Sequence, residues 1–497
     1  MTSKHLSARE LIDLVLDDGS FSSWDKEIKD PKGASPHYLA ELKSARDKSG
    51  VDEAILTGKG SINGRNVAVV IGEFSFLAGS IGISAASRIM DALERATRER
   101  LPVLAAPASG GTRMQEGTIA FLQMVGITAS VVAHKSAGLP YLVYLRHPTT
   151  GGVFASWGSL GHVTVAEPGA LIGFLGPRVF EAMHGESFPE GVQTSENLFA
   201  KGIIDGVLAP IHLAEVTSRA LNVLAPDRES FRPVPDIARG RISEHTAWES
   251  ILLTRAGNRP GIRSLLRYGA NNVLPLHGTG EGESQQTLLL ALARFGSAPC
   301  ILLAQDRVNA DKPLGPAGLR EARRGMRIAS QLKLPFVTVI DTPGATLSKE
   351  SEEGGLSGEI ARSLADQISL DAPTLCVILG QGGGGGALAI LPADRVIAAE
   401  HGWLSPLPPE GASVIVHRTT KFAAEMARDQ GVRAKDLLAV GIVDRIVEEN
   451  PDAAREPEQF AKRMSQVLEY ELLNLIKSDP DERMYKRLSR YRNLGHD

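Results

Sequence analysis

The chain has 497 residues, of which 43% are apolar and 23% are charged, as is typical of a soluble globular protein. The length predicts roughly three domains rather than one very large core. The formal net charge of −4 gives no basic surface, so we expect no nucleic-acid partner. Two cysteines, Cys300 and Cys376, exclude a disulfide framework and a four-cysteine zinc site, and their apolar neighbours predict buried, unreactive thiols.

Neither a targeting segment nor a membrane span is expected. The first residues are polar and charged with no apolar stretch behind them, which argues against a signal peptide. The longest charge-free segment, residues 372–393, is long enough to cross a membrane, but it contains six glycines and two prolines. That composition predicts a strand, a glycine loop and a short helix instead. We therefore expect a soluble, cytoplasmic protein.

Alternating apolar strands and helical stretches run along the chain and predict an α/β fold. Within this pattern lies an internal repeat. Pro102, at the start of one apolar run, recurs 233 positions later as Pro335, and Gly152 recurs 234 positions later as Gly386. Two further landmarks keep nearly the same offset. The sequence therefore predicts two copies of one domain.

The boundary between the two copies is predicted from composition. A stretch rich in proline and charge follows a helical segment that ends near Leu224, and such a stretch is typical of a linker. We therefore expect one domain over residues 1–235 and a second over residues 240–497.

The glycine loops allow more than one interpretation. Residues 380–385 match the dinucleotide-binding pattern G-x-G-x-x-G after a strand, with Glu400 twenty residues further on. However, only the 8 residues from Ala387 to Asp394 precede the next strand, too few for the helical crossover of that fold, so a nicotinamide or flavin site is disfavoured. Backbone N–H groups beside a glycine pair could instead hold an oxyanion. The glycines could also serve close packing alone, and spacing does not decide between these two.

Several longer motifs resemble a known family. Residues 108–117, 148–156 and 166–178 resemble the carboxyltransferase β chain of acetyl-CoA carboxylase, and residues 340–345, 382–390 and 409–413 resemble its α chain. The resemblance runs from about residue 50 almost to Leu494. The chain thus resembles both halves fused, as in the actinobacterial β subunits of acyl-CoA carboxylases.

This resemblance implies two tandem crotonase-like (ClpP/crotonase) ββα-spiral domains, β-like over residues 1–235 and α-like over residues 240–497. It implies transfer of a carboxyl group from carboxybiotin to a short acyl-CoA, acetyl-CoA or propionyl-CoA, through an enolate held in backbone oxyanion holes. By position, the family's catalytic residues fall on Gly151, Gly152, Gly386 and Ala387. Its substrate-binding residues fall on Ala78, Gly79, Gly110, Gly111 and Ala389, the last at the position that tunes acyl-chain choice.

The resemblance also implies partners. The family's biotin-attachment motif is missing, since Glu181-Ala-Met-His184 has histidine where lysine is required, and no region has the size of an ATP-grasp domain. Biotin is therefore expected on a biotinylated α subunit with biotin carboxylase and biotin carrier domains, and six copies of the present chain are expected to assemble. The zinc ribbon of separate β chains is absent, so no metal is expected. Two alternatives are a biotin-dependent decarboxylase of malonyl-type thioesters and a non-catalytic crotonase-fold scaffold.

Overall fold

A computed structural model describes residues 5–31, 33–309, 314–345, 348–492 and 494. It divides into two compact units. The amino-terminal unit consists of Met1–Ala225 with Gly280–Gly282, and the carboxy-terminal unit consists of Pro226–Thr279 with Glu283–Asp497. The assignment of these units as β-like and α-like domains stays a prediction.

A seven-stranded sheet is the centre of the amino-terminal unit. The strands of this unit are β1 (Ser22–Ser23), β2 (Ile55–Ile62), β3 (Arg65–Gly72), β4 (Val103–Ala106), β5 (Tyr141–Leu145), β6 (Thr149–Thr150), β7 (Val163–Ala166), β8 (Ile172–Gly173) and β9 (Gly206–Val207). The sheet order is β1-β2-β3-β4-β5-β7-β9, while β6 and β8 form a separate pair. Asn63 and Gly64 both have positive φ and close the antiparallel β2–β3 hairpin, and the later strands pair in parallel.

The described residues of the amino-terminal unit form seven α-helices. They are α1 (Ala8–Val15), α2 (Pro36–Ser49), α3 (Ile83–Arg98), α4 (Gly117–Ser136), α5 (Pro177–His184), α6 (Ser195–Ala200) and α7 (Leu213–Leu224). Helix α3 buries Ile89, Leu93 and Ala96, which are three or four residues apart and therefore share one face. They pack with Val103 of β4 and Tyr141 of β5 in the core of the unit.

The carboxy-terminal unit repeats the same sheet plan. Its strands are β10 (Ala270–Leu276), β11 (Leu288–Phe295), β12 (Ala298–Gln305), β13 (Phe336–Thr342), β14 (Thr374–Gly383), β15 (Arg395–Ala399), β16 (Trp403–Ser405) and β17 (Arg445–Val447). The sheet order is β10-β11-β12-β13-β14-β15-β17, with β16 paired to β14. Two antiparallel pairs followed by parallel pairs is the order found in both units, as the repeat predicted.

Eleven α-helices belong to the described part of this unit. They are α8 (Ala247–Arg255), α9 (Ile262–Gly269), α10 (Pro316–Leu332), α11 (Lys349–Glu353), α12 (Leu356–Ile368), α13 (Gly384–Leu388), α14 (Pro409–His417), α15 (Ala423–Asp429), α16 (Ala434–Ala439), α17 (Pro457–Lys477) and α18 (Pro480–Arg492). Helix α17 buries Phe460, Met464 and Leu468 against the sheet core.

Two local predictions from the sequence are confirmed. Residues 372–393 form strand β14 and the short helix α13 rather than a membrane helix. Cys300 and Cys376 are both fully buried, and burial raises the pKa of the Cys376 thiol to about 12, so neither thiol is reactive. A different helix, Met114–Ser136, is long and apolar enough to span a bilayer by length and composition alone, and 28% of its most apolar window is buried.

Candidate functional site

Two glycine loops meet in the amino-terminal unit. Gly110 and Gly111 follow β4, and Gly151 and Gly152 follow β6. The Thr150 N–H donates to the carbonyl of Ser109 at 2.9 Å, which ties the two loops together. A Cβ built on Gly111 would lie 3.6 Å from the Cα of Gly151, so the backbones approach closely.

Most of the predicted donors in these loops are already hydrogen-bonded. Four N–H groups have acceptors within the unit: Gly79 to the Phe76 carbonyl at 2.8 Å, Gly110 to the Ala78 carbonyl at 2.8 Å, Gly111 to the Ser109 Oγ at 3.0 Å, and Gly151 to the Phe174 carbonyl at 2.9 Å. Such groups are occupied in holding the loops, so they are not free to bind a substrate oxygen.

Ala78 and Gly152 are the exceptions. Among the described residues, neither N–H has a hydrogen-bond acceptor. Ala78 has φ 53 and ψ 32, a left-handed conformation that is strained for a residue with a Cβ and that is concentrated at functional sites. The preceding Leu77 is also left-handed, with φ 45. Unoccupied backbone donors on adjoining loops are the kind of group from which an oxyanion hole is built.

A buried arginine supports these loops from behind. Arg113 is 1% exposed, and its guanidinium donates to the Glu53 carboxylate at 3.0 Å and to the Ser80 carbonyl at 2.8 Å. Its own N–H donates to the carbonyl of Ile81 at 3.0 Å. Arg113 thus fastens the loop after β4 to the turn that carries Ala78.

In the carboxy-terminal unit the glycine run divides into two parts. A Cβ on Gly382 would lie 2.5 Å from the Trp403 carbonyl oxygen, and one on Gly383 would lie 2.3 Å from the Pro343 carbonyl oxygen. Close packing therefore explains these two glycines. A Cβ on Gly386 would meet its nearest neighbour, the Ala345 nitrogen, at 3.3 Å, so packing does not demand glycine there as strongly.

Helix α13 places the remaining donors. The first three residues of an α-helix have N–H groups without an intrahelical acceptor, and Gly386 is the third residue of α13. Ala387 is the fourth, where intrahelical bonding to Gly383 begins, so its N–H is occupied. Of the predicted catalytic pair, Gly386 is thus the one whose N–H has no acceptor among the described residues.

Gln305 holds this short helix in place. Its side chain is 3% exposed at the end of β12. Its Nε2 donates to the Gly386 carbonyl at 2.9 Å, and its Oε1 accepts from the Asp341 N–H at 3.0 Å. Sequence reasoning missed this residue. The only signal was a glutamine at the end of an otherwise apolar strand.

Comparison with known proteins decides the family. A model described as the carboxyl transferase domain matches residues 3–484. The probable biotin-dependent acyl-coenzyme A carboxylase beta3 subunit of Mycobacterium tuberculosis (strain ATCC 25618 / H37Rv) is 56% identical over 99% of both chains. The chain belongs to the carboxyl transferase family. The acetyl-coenzyme A carboxylase carboxyl transferase subunits beta/alpha of Clostridium tetani are 32% identical over 99% of this chain and 88% of theirs.

Solved structures show the same fold for this carboxyl transferase. Transcarboxylase 12S, described as a hexamer with hydrolysed methylmalonyl-coenzyme A bound, superposes with a TM-score of 0.72 over 93% of this chain and 90% of that chain, at 20% identity. A single-chain, multi-domain long-chain acyl-CoA carboxylase superposes with a TM-score of 0.68 over 90% of this chain and 45% of that chain, at 19% identity. The predicted pair of crotonase-like α/β domains is therefore confirmed.

Two histidines near the glycine loops of the carboxyl transferase have structural roles. His147 Nδ1 accepts from the Leu171 N–H at 3.1 Å, and burial lowers the pKa of His147. His162 Nδ1 accepts from the Tyr141 N–H at 3.0 Å. Both imidazoles are therefore bonded to backbone, and neither is free through that nitrogen to act as a base.

Ala389, the predicted specificity residue, follows α13 directly. It is fully buried, and its N–H donates to the Gly385 carbonyl at 3.0 Å. A larger side chain there therefore presses first on neighbouring core atoms.

The structure does not support a dinucleotide-binding site at the glycine run, because the five-residue helix α13 is too short for the helical crossover of that fold.

Proposed function

We propose that this chain is the carboxyltransferase component of a biotin-dependent acyl-CoA carboxylase. It transfers a carboxyl group from carboxybiotin on a partner subunit to a short-chain acyl-CoA, acetyl-CoA or propionyl-CoA. The observation that carries the proposal is the 56% identity to the mycobacterial beta3 subunit over 99% of both chains. A match of that extent covers both glycine-loop regions.

The free backbone donors support this chemistry. Carboxylation beside a thioester requires loss of a proton from the adjacent carbon, and the thioester oxygen then becomes an enolate oxyanion. The N–H groups of Ala78 and Gly152 provide one site for such an oxygen, and the N–H of Gly386 contributes to a second. Carboxybiotin, when bound, supplies the activated carboxyl group, an oxygen that becomes negative as that group leaves, and a nitrogen that becomes basic. Two donor sites match two oxyanions.

A basic pocket in the amino-terminal unit supports binding of the phosphates of CoA. A cavity of 560 Å³ lies along the length of α3, with lining residues from Ile83, four residues after Gly79, to Arg98 in the last turn of the helix. Its lining has five cations and three carboxylates, together with Trp24: Lys26, Lys29, Arg88, Arg95 and Arg98 against Glu27, Asp91 and Glu94. Arg95 stacks on the Trp24 ring, with its Cζ 4.5 Å from the ring centroid. Cations bind phosphates, and the cations of this pocket outnumber its carboxylates.

The proposal includes a biotinylated α subunit, an assembly of several copies, and a cytoplasmic location. The transcarboxylase 12S with the same fold is described as a hexamer, which supports six copies. Helix α4 exposes an apolar set that supports burial against another chain: Ile119, Phe121, Leu122 and Val125.

The test uses the purified chain with ATP, bicarbonate and either acetyl-CoA or propionyl-CoA. We expect no carboxylated product from the chain alone, and product when a biotinylated α subunit is added. Carboxylation by the chain alone would contradict the proposal that a partner subunit carries the biotin. Absence of product with each of several charged α subunits, together with decarboxylation of a malonyl-type CoA, would favour the decarboxylase instead.

A further inference from the structure

Two histidines and a glutamate converge in the carboxy-terminal unit. They are His245, which precedes α8, and Glu400 and His401, which follow β15. One ligating atom from each of the three lies within 4.8 Å of the others. Nothing in the carboxyl-transfer chemistry proposed above uses them.

Hydrogen bonds fix the carboxylate and the first imidazole. Glu400 accepts from the Ser243 N–H at 2.6 Å, from the Ser243 hydroxyl, and from the Glu449 N–H at 2.9 Å. Because the Ser243 hydroxyl donates its proton to Glu400, its oxygen accepts from His245 Nδ1 at 2.6 Å. With the proton on Nδ1, neutral His245 has its lone pair on Nε2.

The second imidazole has an unsatisfied nitrogen. His401 is 1% exposed, and its Nδ1 is 3.2 Å from the Ser250 Oγ. Among the described residues, its Nε2 has no hydrogen-bond partner. A buried polar nitrogen without a hydrogen-bond partner lowers the stability of the fold, and a ligand bound to Nε2 would remove that cost.

We propose that His245, Glu400 and His401 bind one divalent transition-metal ion of the zinc class. Two neutral imidazoles and a carboxylate are ligands that Zn²⁺, Co²⁺ and Ni²⁺ prefer. Each imidazole has its other nitrogen on a serine hydroxyl, the arrangement that orients metal-bound histidines. Donor atoms around tetrahedral zinc lie about 3.4 Å apart, so the three side chains close around the ion as it binds.

The ion would have a route of entry and a structural effect. His245 is only partly buried, so the site opens to solvent through it, and water completes the coordination. The bound ion fastens the segment before α8 to the end of β15. This inference departs from the expectation of a metal-free chain, which rested on the missing zinc ribbon and says nothing about histidine sites.

The test uses the full chain, treated with a chelator and then titrated with Zn²⁺ by calorimetry, with metal content measured after dialysis. We expect one ion per chain in the wild type and loss of that ion in His245→Asn, while the exposed His417→Asn control keeps it. Co²⁺ in place of Zn²⁺ should show the visible absorption of a tetrahedral site, and His245→Asn should not.

Three results would overturn the proposal: no binding by the wild type, binding unchanged in His245→Asn, or binding that disappears only in His417→Asn. His245→Asn is the primary variant because its side chain is partly exposed. His401→Asn is buried and serves as a second variant. None of these readouts depends on carboxylation, so failure here leaves the proposed function untouched.

Discussion

Gln305→Glu is the variant that tests most sharply how helix α13 is positioned. The wild-type side chain donates from Nε2 to the Gly386 carbonyl at 2.9 Å and accepts from the Asp341 N–H at 3.0 Å. A carboxylate has the same shape and keeps the second bond. It cannot make the first, because an ionised carboxylate has no proton to donate and would face a carbonyl oxygen.

The magnitude follows from burial. Leaving a buried acceptor without its donor costs about 1–3 kcal/mol. If that cost falls on the geometry of the Gly386 donor in the transition state, kcat drops by roughly fivefold to a hundredfold, with a smaller change in KM. The loss of kcat in Gln305→Glu should be reversed as the pH falls. Burial raises the pKa of the carboxyl introduced by Gln305→Glu, and the protonated form can donate again.

The assay is therefore the pH profile of kcat, measured with a charged biotin carrier. Gln305→Glu should gain activity relative to wild type as the pH falls, while Gln305→Leu, with no donor at any pH, should not. Gln367→Glu is the matched control, since Gln367 is equally buried and its Nε2 donates to the Pro392 carbonyl at 3.0 Å. Equal losses of kcat in Gln305→Glu and Gln367→Glu, or no recovery at low pH, would refute the positioning role.

Three further predictions concern other sites. A Cβ at Gly152 would lie 3.2 Å from Met124 Cγ, so Gly152→Ala should displace the N–H of residue 152 by a few tenths of an ångström and lower kcat roughly five- to tenfold. The control variant Gly206→Ala should not lower kcat, and equal kcat values for the two variants would contradict this prediction. Burial lowers the pKa of His134 from 6.5 to about 4. Between these pH values only the unfolded state takes up a proton on His134, so the stability of the folded state falls as the pH drops from 6.5 to 4. The thermal unfolding midpoint of His134→Gln should therefore fall less over that window than the midpoint of the wild type, and parallel curves would disprove this prediction. Because Ala389 is fully buried directly after α13, Ala389→Val should displace that helix and change the ratio of kcat/KM for acetyl-CoA and propionyl-CoA; an unchanged ratio would remove its proposed part in specificity.

The architecture could be predicted from the sequence because the repeat consists of prolines and glycines, which have strong local conformational preferences. Pro102 and Pro335 precede the equivalent strands β4 and β13, and the glycine content of residues 372–393 excluded a long helix. The boundary between the two units could be predicted only in part. Gly280–Gly282 belong to the amino-terminal unit although they lie far along the chain, and no local pattern marks such an excursion.

The free donors could not be identified from sequence. Whether a backbone N–H is available depends on which carbonyl the fold brings to it, as the Phe174 carbonyl occupies Gly151 while Gly152 stays unbonded among the described residues. The same holds for Gln305, whose importance comes entirely from its contact with Gly386. Family resemblance located the glycine pairs, and tertiary hydrogen bonding distinguishes their members.

Transfer of labelled carboxyl tests the central proposal most directly. A biotin carrier domain charged with ¹⁴C-carboxybiotin is mixed with the purified chain and propionyl-CoA, and acid-stable radioactivity is measured in the CoA fraction. Because carboxybiotin loses its label in acid and a malonyl-type CoA keeps it, we expect acid-stable label in the presence of the chain and none in its absence. Label that stays acid-labile at every acyl-CoA concentration, with a folded chain present, would contradict carboxyl transfer.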